Sequence, residues 1–247
     1  FRGAIYRPQG PAPESLLEGL RELEGIEDTL SRVSTYAGLL YAADSLRAEF
    51  QDLEQRMEQR ATEVRNLLLF FELEWLDLDD SVAVRLIHHP TLKNYSHYLK
   101  NLRRFRPHKL SEPEEKIVNE KDNTGRNAFG RLFSEITSAL TFALDRDGKP
   151  TELTLSEILA LMHHPDRQLR QRAWESLFEG LSRHEHALGF IYDTMIQDHL
   201  TMDRLRRYPN PMIERHLANE IDAVAVEKMI EVTEANYPLA QAYFRLK

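Results

Sequence analysis

Residues 14–40 read ESLLEGLRELEGIEDTLSRVSTYAGLL, and this stretch decides the fold. Its apolar residues recur at spacings of three and four, which is the period of one face of an α-helix. The members of this first stripe are Leu16, Leu20, Leu23, Ile26, Leu30, Val33, Ala37 and Leu40. The spacing predicts a helix of about seven turns that buries one face.

A second stripe with the same period follows, after Asp44 or Ser45 as the predicted N-cap. It consists of Leu46, Phe50, Leu53, Met57, Ala61, Val64, Leu68 and Phe71. Two long helices joined by a short turn indicate an antiparallel helical hairpin. Near its end we expect Trp75 and the Phe70–Phe71 pair to be buried.

Further along, the sequence predicts more helices and one change in the period of the apolar residues. Capping boxes predict helix starts at Ser111 and Thr154, and a longest helix is predicted from Pro165 to Tyr208. Between residues 140 and 155 apolar and polar residues alternate about the turn dipeptide Asp147-Gly148, which indicates a β-hairpin. The predicted fold class is all-α (mainly helical): a long antiparallel helical hairpin plus a helical bundle with one small β-hairpin.

Composition limits the classes of partner. The chain has 247 residues, no cysteine, 32 Lys+Arg against 40 Asp+Glu, and a net charge of -8. Disulfides, cysteine nucleophiles and thiolate zinc sites are therefore excluded. We expect no nucleic acid partner, since a basic surplus is missing, and no membrane partner, since no apolar run approaches 18 residues. The basic cluster Arg103, Arg104, Arg106, His108 and Lys109 is interpreted as charge that favours a helix C-terminus.

Ten histidines make metal binding the first chemistry to test. His184-Glu185-His186 begins like the zinc motif HExxH, but its second ligand would be residue 188, which is Leu188. On a helix only positions i and i+4 place two imidazoles over one metal. His199 and Asp203 do have that spacing, but two ligands alone make a weak site, and Asp203 can instead pair with Arg207.

Other motifs are also incomplete. A calcium loop ending at Gly148 would need carboxylates or close substitutes where Ala143 and Thr154 stand. Dinucleotide, phosphate-loop and GxSxG fingerprints are missing from the sequence. We therefore expect no catalytic residue and no metal ligand in this chain, and the sequence assigns no substrate-binding residue.

One internal similarity favours an alternative function. Residues 86–90 (LIHHP) and 161–165 (LMHHP) match closely, and the second copy continues like a HEAT-type helical repeat. A repeat protein without enzymatic activity would act as an interaction scaffold. Two copies fall short of the three that a stable solenoid needs, and each is more simply a helix end followed by a proline-marked helix start.

Several stretches, in order, resemble oligoendopeptidase F, one of the thimet-oligopeptidase-like zinc metallopeptidases. The most similar run is RPHKLSEPEE at 106–115, followed by FGRLFSEITSAL at 129–140. LFFELEW at 69–75, DRLRRY at 203–208 and NYP at 236–238 also match.

The resemblance implies an almost wholly helical peptidase that cleaves short peptides in an internal channel. In that family two histidines of HExxH and a downstream glutamate bind zinc. None of these positions lies in this sequence, so we expect them beyond Lys247 and interpret the chain as a non-catalytic N-terminal fragment. Residues 1–110 would be an N-terminal helical domain, incomplete at its start, and 111–247 the first part of the peptidase domain.

The same resemblance implies the cofactor, partners and location. Zinc belongs to the parent enzyme, and no cofactor is expected in this chain. The expected partners are short peptide substrates and a C-terminal catalytic half, and the expected location is cytoplasmic. The face that meets the catalytic half should be unusually apolar.

Overall fold

The computed structural model describes residues 2–5, 9–146 and 149–246. The described residues are 78% helical and contain one two-stranded antiparallel sheet. The α-helices are α1 (Pro13–Ala43), α2 (Ala48–Asp77), α3 (Asp80–Ile87), α4 (Ser96–Arg103), α5 (Glu112–Thr124), α6 (Arg126–Ala139), α7 (Leu155–Leu161), α8 (Arg167–Ser182), α9 (Glu185–Arg206), α10 (Ile213–Ala218), α11 (Ala223–Ala235) and α12 (Tyr237–Leu246). The predicted all-α class with a small β-hairpin is confirmed.

The predicted capping boxes form where the sequence places them. The backbone N–H of Ser111 donates to the carboxylate of Glu114 at 2.8 Å, just before α5. The N–H of Thr154 donates to Glu157 at 2.8 Å before α7, and the Thr154 hydroxyl accepts from the N–H of Glu157 at 3.4 Å. These bonds satisfy N–H groups that the first turn of a helix leaves without partners.

The β-hairpin pairs β1 (Phe142–Arg146) with β2 (Lys149–Leu153). Phe142 lies opposite Leu153, and Leu144 lies opposite Thr151. Because side chains alternate along a strand, Phe142, Leu144 and Leu153 share one face and are buried. The predicted turn dipeptide, residues 147–148, lies outside the described residues.

The predicted helix from Pro165 to Tyr208 is wrong in its length. Two helices, α8 and α9, occupy that stretch, and the longest described helix is α1 with 31 residues. The break follows Ser182, where the N–H of His184 donates to the carbonyl of Leu181 at 2.9 Å. This bond closes a tighter turn than the α-helical ladder and ends α8 without a glycine or proline at the break.

The first apolar stripe is only partly buried. Leu16, Leu20 and Ala37 are in the core, whereas Ile26 is 41% exposed and Val33 45% exposed. Periodicity therefore identified the helix correctly but did not show which turns find a packing partner.

The chain divides into two compact units. The first contains residues 1–17, 71–110 and 199–247, and the second contains residues 18–70 and 111–198. The chain passes from the first unit to the second after residue 110, which is also where the sequence predicts a domain boundary. The assignment of residues 1–110 and 111–247 to an N-terminal and a peptidase domain stays a prediction.

The core of the first unit surrounds Trp75. Its side chain is fully buried, and its indole N–H donates to the carbonyl of Leu99 at 2.9 Å. The Arg103 guanidinium carbon lies 5.9 Å from the centroid of the same ring. Phe71, one turn earlier on α2, is 3% exposed. Trp75 and Phe71 are thus buried as the sequence predicts, while Phe70 is half-buried.

The core of the second unit surrounds the β-hairpin. Phe142 is 1% exposed and packs on Gly180 of α8 so closely that a Cβ at residue 180 would lie 2.6 Å from its ring. The other buried members of this cluster are Leu140, Leu144, Leu153, Ile158, Ala173 and Leu177. Glycine is therefore needed at residue 180 for space.

Among the described residues, no helix combines the length and the apolar character that crossing a membrane would require.

Candidate functional site

The second histidine of each of the two similar segments caps a local turn. Nδ1 of His89 lies 3.4 Å from the N–H of Thr91, and Nδ1 of His164 accepts from the N–H of Asp166 at 3.1 Å. In both segments the histidine precedes a proline at a helix boundary. The similarity is therefore explained by capping, and the HEAT-type alternative loses its support.

The basic cluster is occupied by contacts within the first unit. Arg103 donates to the carbonyls of Trp75 at 2.9 Å and Leu78 at 3.0 Å, at the C-terminal end of α2. Asp80 pairs with Arg103 and also with Arg106, the latter at 2.7 Å. The side-chain hydrogen bond from Arg103 is the main cause that lowers the pKa of Asp80. Arg103 thus serves a helix C-terminus, that of α2, while Arg106 pairs with the first residue of α3.

We expect no tight RNA binding by this cluster. Its paired guanidinium groups would have to leave Asp80 before contacting phosphates, and the net charge of -8 repels a polyanion. Titration of a short single-stranded RNA at physiological salt should give a dissociation constant weaker than about 10 μM, within the non-specific range. Asp80→Asn is the matched variant, because it removes the carboxylate that pairs with Arg103 and Arg106 and should strengthen binding. Submicromolar, salt-sensitive binding by the unmodified chain would restore the interpretation as a nucleic-acid-binding module.

A partly buried polar group in the second unit is Glu54 of α2. Its pKa is raised, first by burial and then by the charge of Glu58, while Arg131 opposes the shift. Arg131 is itself paired with Glu58. The pKa of Tyr41 is also raised, mainly by burial. The arrangement links helices within the unit, and it lacks the nucleophile and base that catalysis requires.

The two histidines of the HExxH-like segment lie at the start of α9. His184 lies in the break before α9, and His186 lies in its first turn; both are exposed. Neither belongs to the metal-ligating group found among the described residues. The expectation of no catalytic residue stays a prediction.

The structure does bring together three potential ligands at the end of α9. His199 and Asp203 occupy one face of α9, and Glu214 reaches them from α10 after the chain turns at residues 209–211. One ligand atom from each of the three lies within 4.8 Å of the others. Nε2 of His199 lies 3.5 Å from Asp203 Oδ2, and its Nδ1 lies 3.8 Å from Glu214 Oε2.

Sequence reasoning considered only two of these residues. The sequence offers Arg207 as the partner of Asp203, whereas the described residues place Asp203 beside His199. Glu214 was missed because it lies on another helix, beyond two prolines. The sequence does contain a signal for it. Glu214 comes soon after the proline-containing turn at residues 209–211, and that turn follows the ligand pair His199 and Asp203.

Comparison with known proteins identifies the relatives of this chain. Residues 74–142 match the family model described as Oligopeptidase F. Group B oligopeptidase PepB of Streptococcus agalactiae is 24% identical over 95% of this chain and 39% of its own length. Oligopeptidase PepF of Bacillus subtilis is 21% identical over 95% of this chain and 35% of its own length.

A solved structure shows the same fold. The crystal structure of oligoendopeptidase-F from Enterococcus faecium matches with a TM-score of 0.84 at 21% identity, over 95% of this chain and 47% of that chain. The chain spans less than half the length of each of these relatives. The resemblance to the N-terminal portion of oligoendopeptidase F, drawn from the sequence, is confirmed.

Proposed function

Because the chain is related over nearly its whole length to part of oligoendopeptidase F, we propose that it is the non-catalytic N-terminal portion of a zinc-dependent oligoendopeptidase. The parent enzyme would hydrolyse short peptides in an internal channel, and this portion would form one wall of it. The alignment supports the role, since about 95% of this chain matches less than 40% of the two bacterial oligopeptidases.

The observation that carries the proposal is the exposed apolar surface of α11 and α12. Neither helix has a buried residue. The exposed apolar side chains on them are Val224, Met229, Ile230, Val232, Tyr237, Leu239, Tyr243, Phe244 and Leu246. Apolar residues so closely spaced are typical of a surface that another protein part covers. We assign that partner as the catalytic half, which carries HExxH.

The residues present do not fit the catalytic zinc that the family implies. Such a site needs two histidines at i and i+4 with a carboxylate beside the bound water. The segment His184–His186 has the wrong spacing, and the cluster at the end of α9 contains one histidine. The proposed role of this chain is therefore to position and enclose the peptide, while the partner supplies the chemistry.

An activity assay on the chain alone tests this division. The purified chain, supplied with Zn²⁺, should not cleave a quenched fluorescent peptide above background, because the hydrolytic groups are missing. Chelator-sensitive turnover by the chain alone would refute the proposal. We further propose a cytoplasmic location, which rests on the resemblance alone.

A further inference from the structure

The turn that follows α9 gathers three ionisable side chains whose role the proposed function leaves open. All three lie in the first unit. The helical spacing of His199 and Asp203 aligns them on one face, and the proline-marked turn at residues 209–211 directs α10 back toward that face. Glu214, in the first turn of α10, completes the group.

Asp203 is the residue that points to a ligand. It is 7% exposed, and neither carboxylate oxygen has a hydrogen-bond partner within the described part of the chain. A buried carboxylate without hydrogen bonds is costly, because it has lost water and gained nothing in return. Nε2 of His199 lies 3.5 Å from Asp203 Oδ2 without forming a hydrogen bond to it.

His199 is oriented in a way that suits a metal ligand. Its Nε2 lies 3.3 Å from the carbonyl oxygen of Pro211. A carbonyl can only accept, so Nε2 carries the proton and the lone pair of a neutral ring is on Nδ1. Metal-binding histidines commonly donate their other N–H to a backbone carbonyl in this manner. Nδ1 lies on the side of Glu214, at 3.8 Å from its Oε2.

We propose that His199, Asp203 and Glu214 bind one divalent transition-metal cation such as Zn²⁺. One imidazole nitrogen with two carboxylate oxygens suits this class better than Mg²⁺ or Ca²⁺, which prefer oxygen alone. Bonds of about 2.0–2.2 Å place tetrahedral ligand atoms about 3.4 Å apart. One ligand atom from each residue lies within 4.8 Å of the others, and these atoms must move closer to reach that spacing. Because Asp203 Oδ2 lies near Nε2, the imidazole must also turn to present Nδ1 to both carboxylates.

The cation would neutralise the buried Asp203 and fasten α10 to the end of α9. Because the cation would bind only the folded state, the thermal stability of the chain should rise as metal is added. The competing explanation is that the three side chains interact only with one another, without metal. That explanation predicts that added metal does not change the stability of the chain.

Calorimetric titration of Zn²⁺ into the chelator-treated chain tests the proposal, with Mn²⁺ and Ca²⁺ as further arms. We expect one Zn²⁺ per chain and negligible heat with Ca²⁺. Glu214→Gln should weaken binding at least tenfold, and Asp203→Asn should do the same. Glu214 is half-exposed, so its variant should keep the wild-type circular dichroism even where Asp203→Asn disturbs folding.

The exposed His186→Ala variant is the matched control and should bind Zn²⁺ like the wild type. The proposal is overturned if Zn²⁺ does not bind, or if Glu214→Gln leaves binding unchanged. It is equally overturned if His186→Ala abolishes binding, since that would locate the metal at the surface histidines. The readout is metal binding, so it is independent of whether the parent cleaves peptides.

Discussion

Replacing Trp75 by alanine should lower the free energy of unfolding by about 3–5 kcal/mol, the range for large aromatic residues in a core. Trp75 is fully buried, and its indole N–H donates to the carbonyl of Leu99. The change removes the largest fully buried side chain of the described core and leaves a cavity beside Arg103. Urea denaturation followed by far-UV circular dichroism gives the difference.

Trp174→Ala is the matched control for this prediction. Trp174 is the other tryptophan of the chain and is 50% exposed on α8. Its loss should cost less than about 1 kcal/mol, as is usual for surface substitutions. A Trp75→Ala effect as small as that of the control would contradict the core assigned to the first unit.

Phe142→Ala should destabilise the second unit by a similar amount, about 3–5 kcal/mol. The ring is 1% exposed and fills the space between the β-hairpin and α8. Phe178→Ala is the control on the same helix, because that ring is 50% exposed. The same denaturation experiment should show a small effect for Phe178→Ala. Equal effects of the two variants would mean that the hairpin does not pack on α8.

A second variant tests the contact between Phe142 and Gly180 directly. Gly180→Ala adds a Cβ that would lie 2.6 Å from the Phe142 ring, so it should cost about 1–3 kcal/mol by overpacking. In a Phe142→Ala background the added methyl group has room, and the cost should largely disappear. Coupling of this kind is expected only for residues in contact.

Local sequence signals predicted the local structure well. The capping boxes at Ser111 and Thr154 form as predicted, because each depends on residues three positions apart. The change from a period of 3.6 to a period of 2 located the β-hairpin within a residue or two. The resemblance to oligoendopeptidase F rested on ordered stretches, and the comparisons confirm it.

The errors concern features that no local pattern encodes. The end of α8 at Ser182 carries no proline or glycine at the break, so the helical period hid it. Ile26 and Val33 have the right spacing for burial but are exposed. Periodicity reports which face is apolar and does not report what covers it. Glu214 approaches His199 through a turn, and such convergence needs the folded chain.

The central claim is that this chain is the non-catalytic portion of a peptidase. Peptide cleavage by the chain and by the proposed catalytic half, separately and mixed, tests it most directly. The chain, the HExxH-bearing polypeptide that we propose as its partner, and their mixture are each incubated with a quenched fluorescent peptide and Zn²⁺. We expect no turnover from the chain alone and chelator-sensitive turnover from the mixture, well above that of the partner alone. Chelator-sensitive turnover by the chain alone, or a mixture no more active than the partner by itself, would contradict the account.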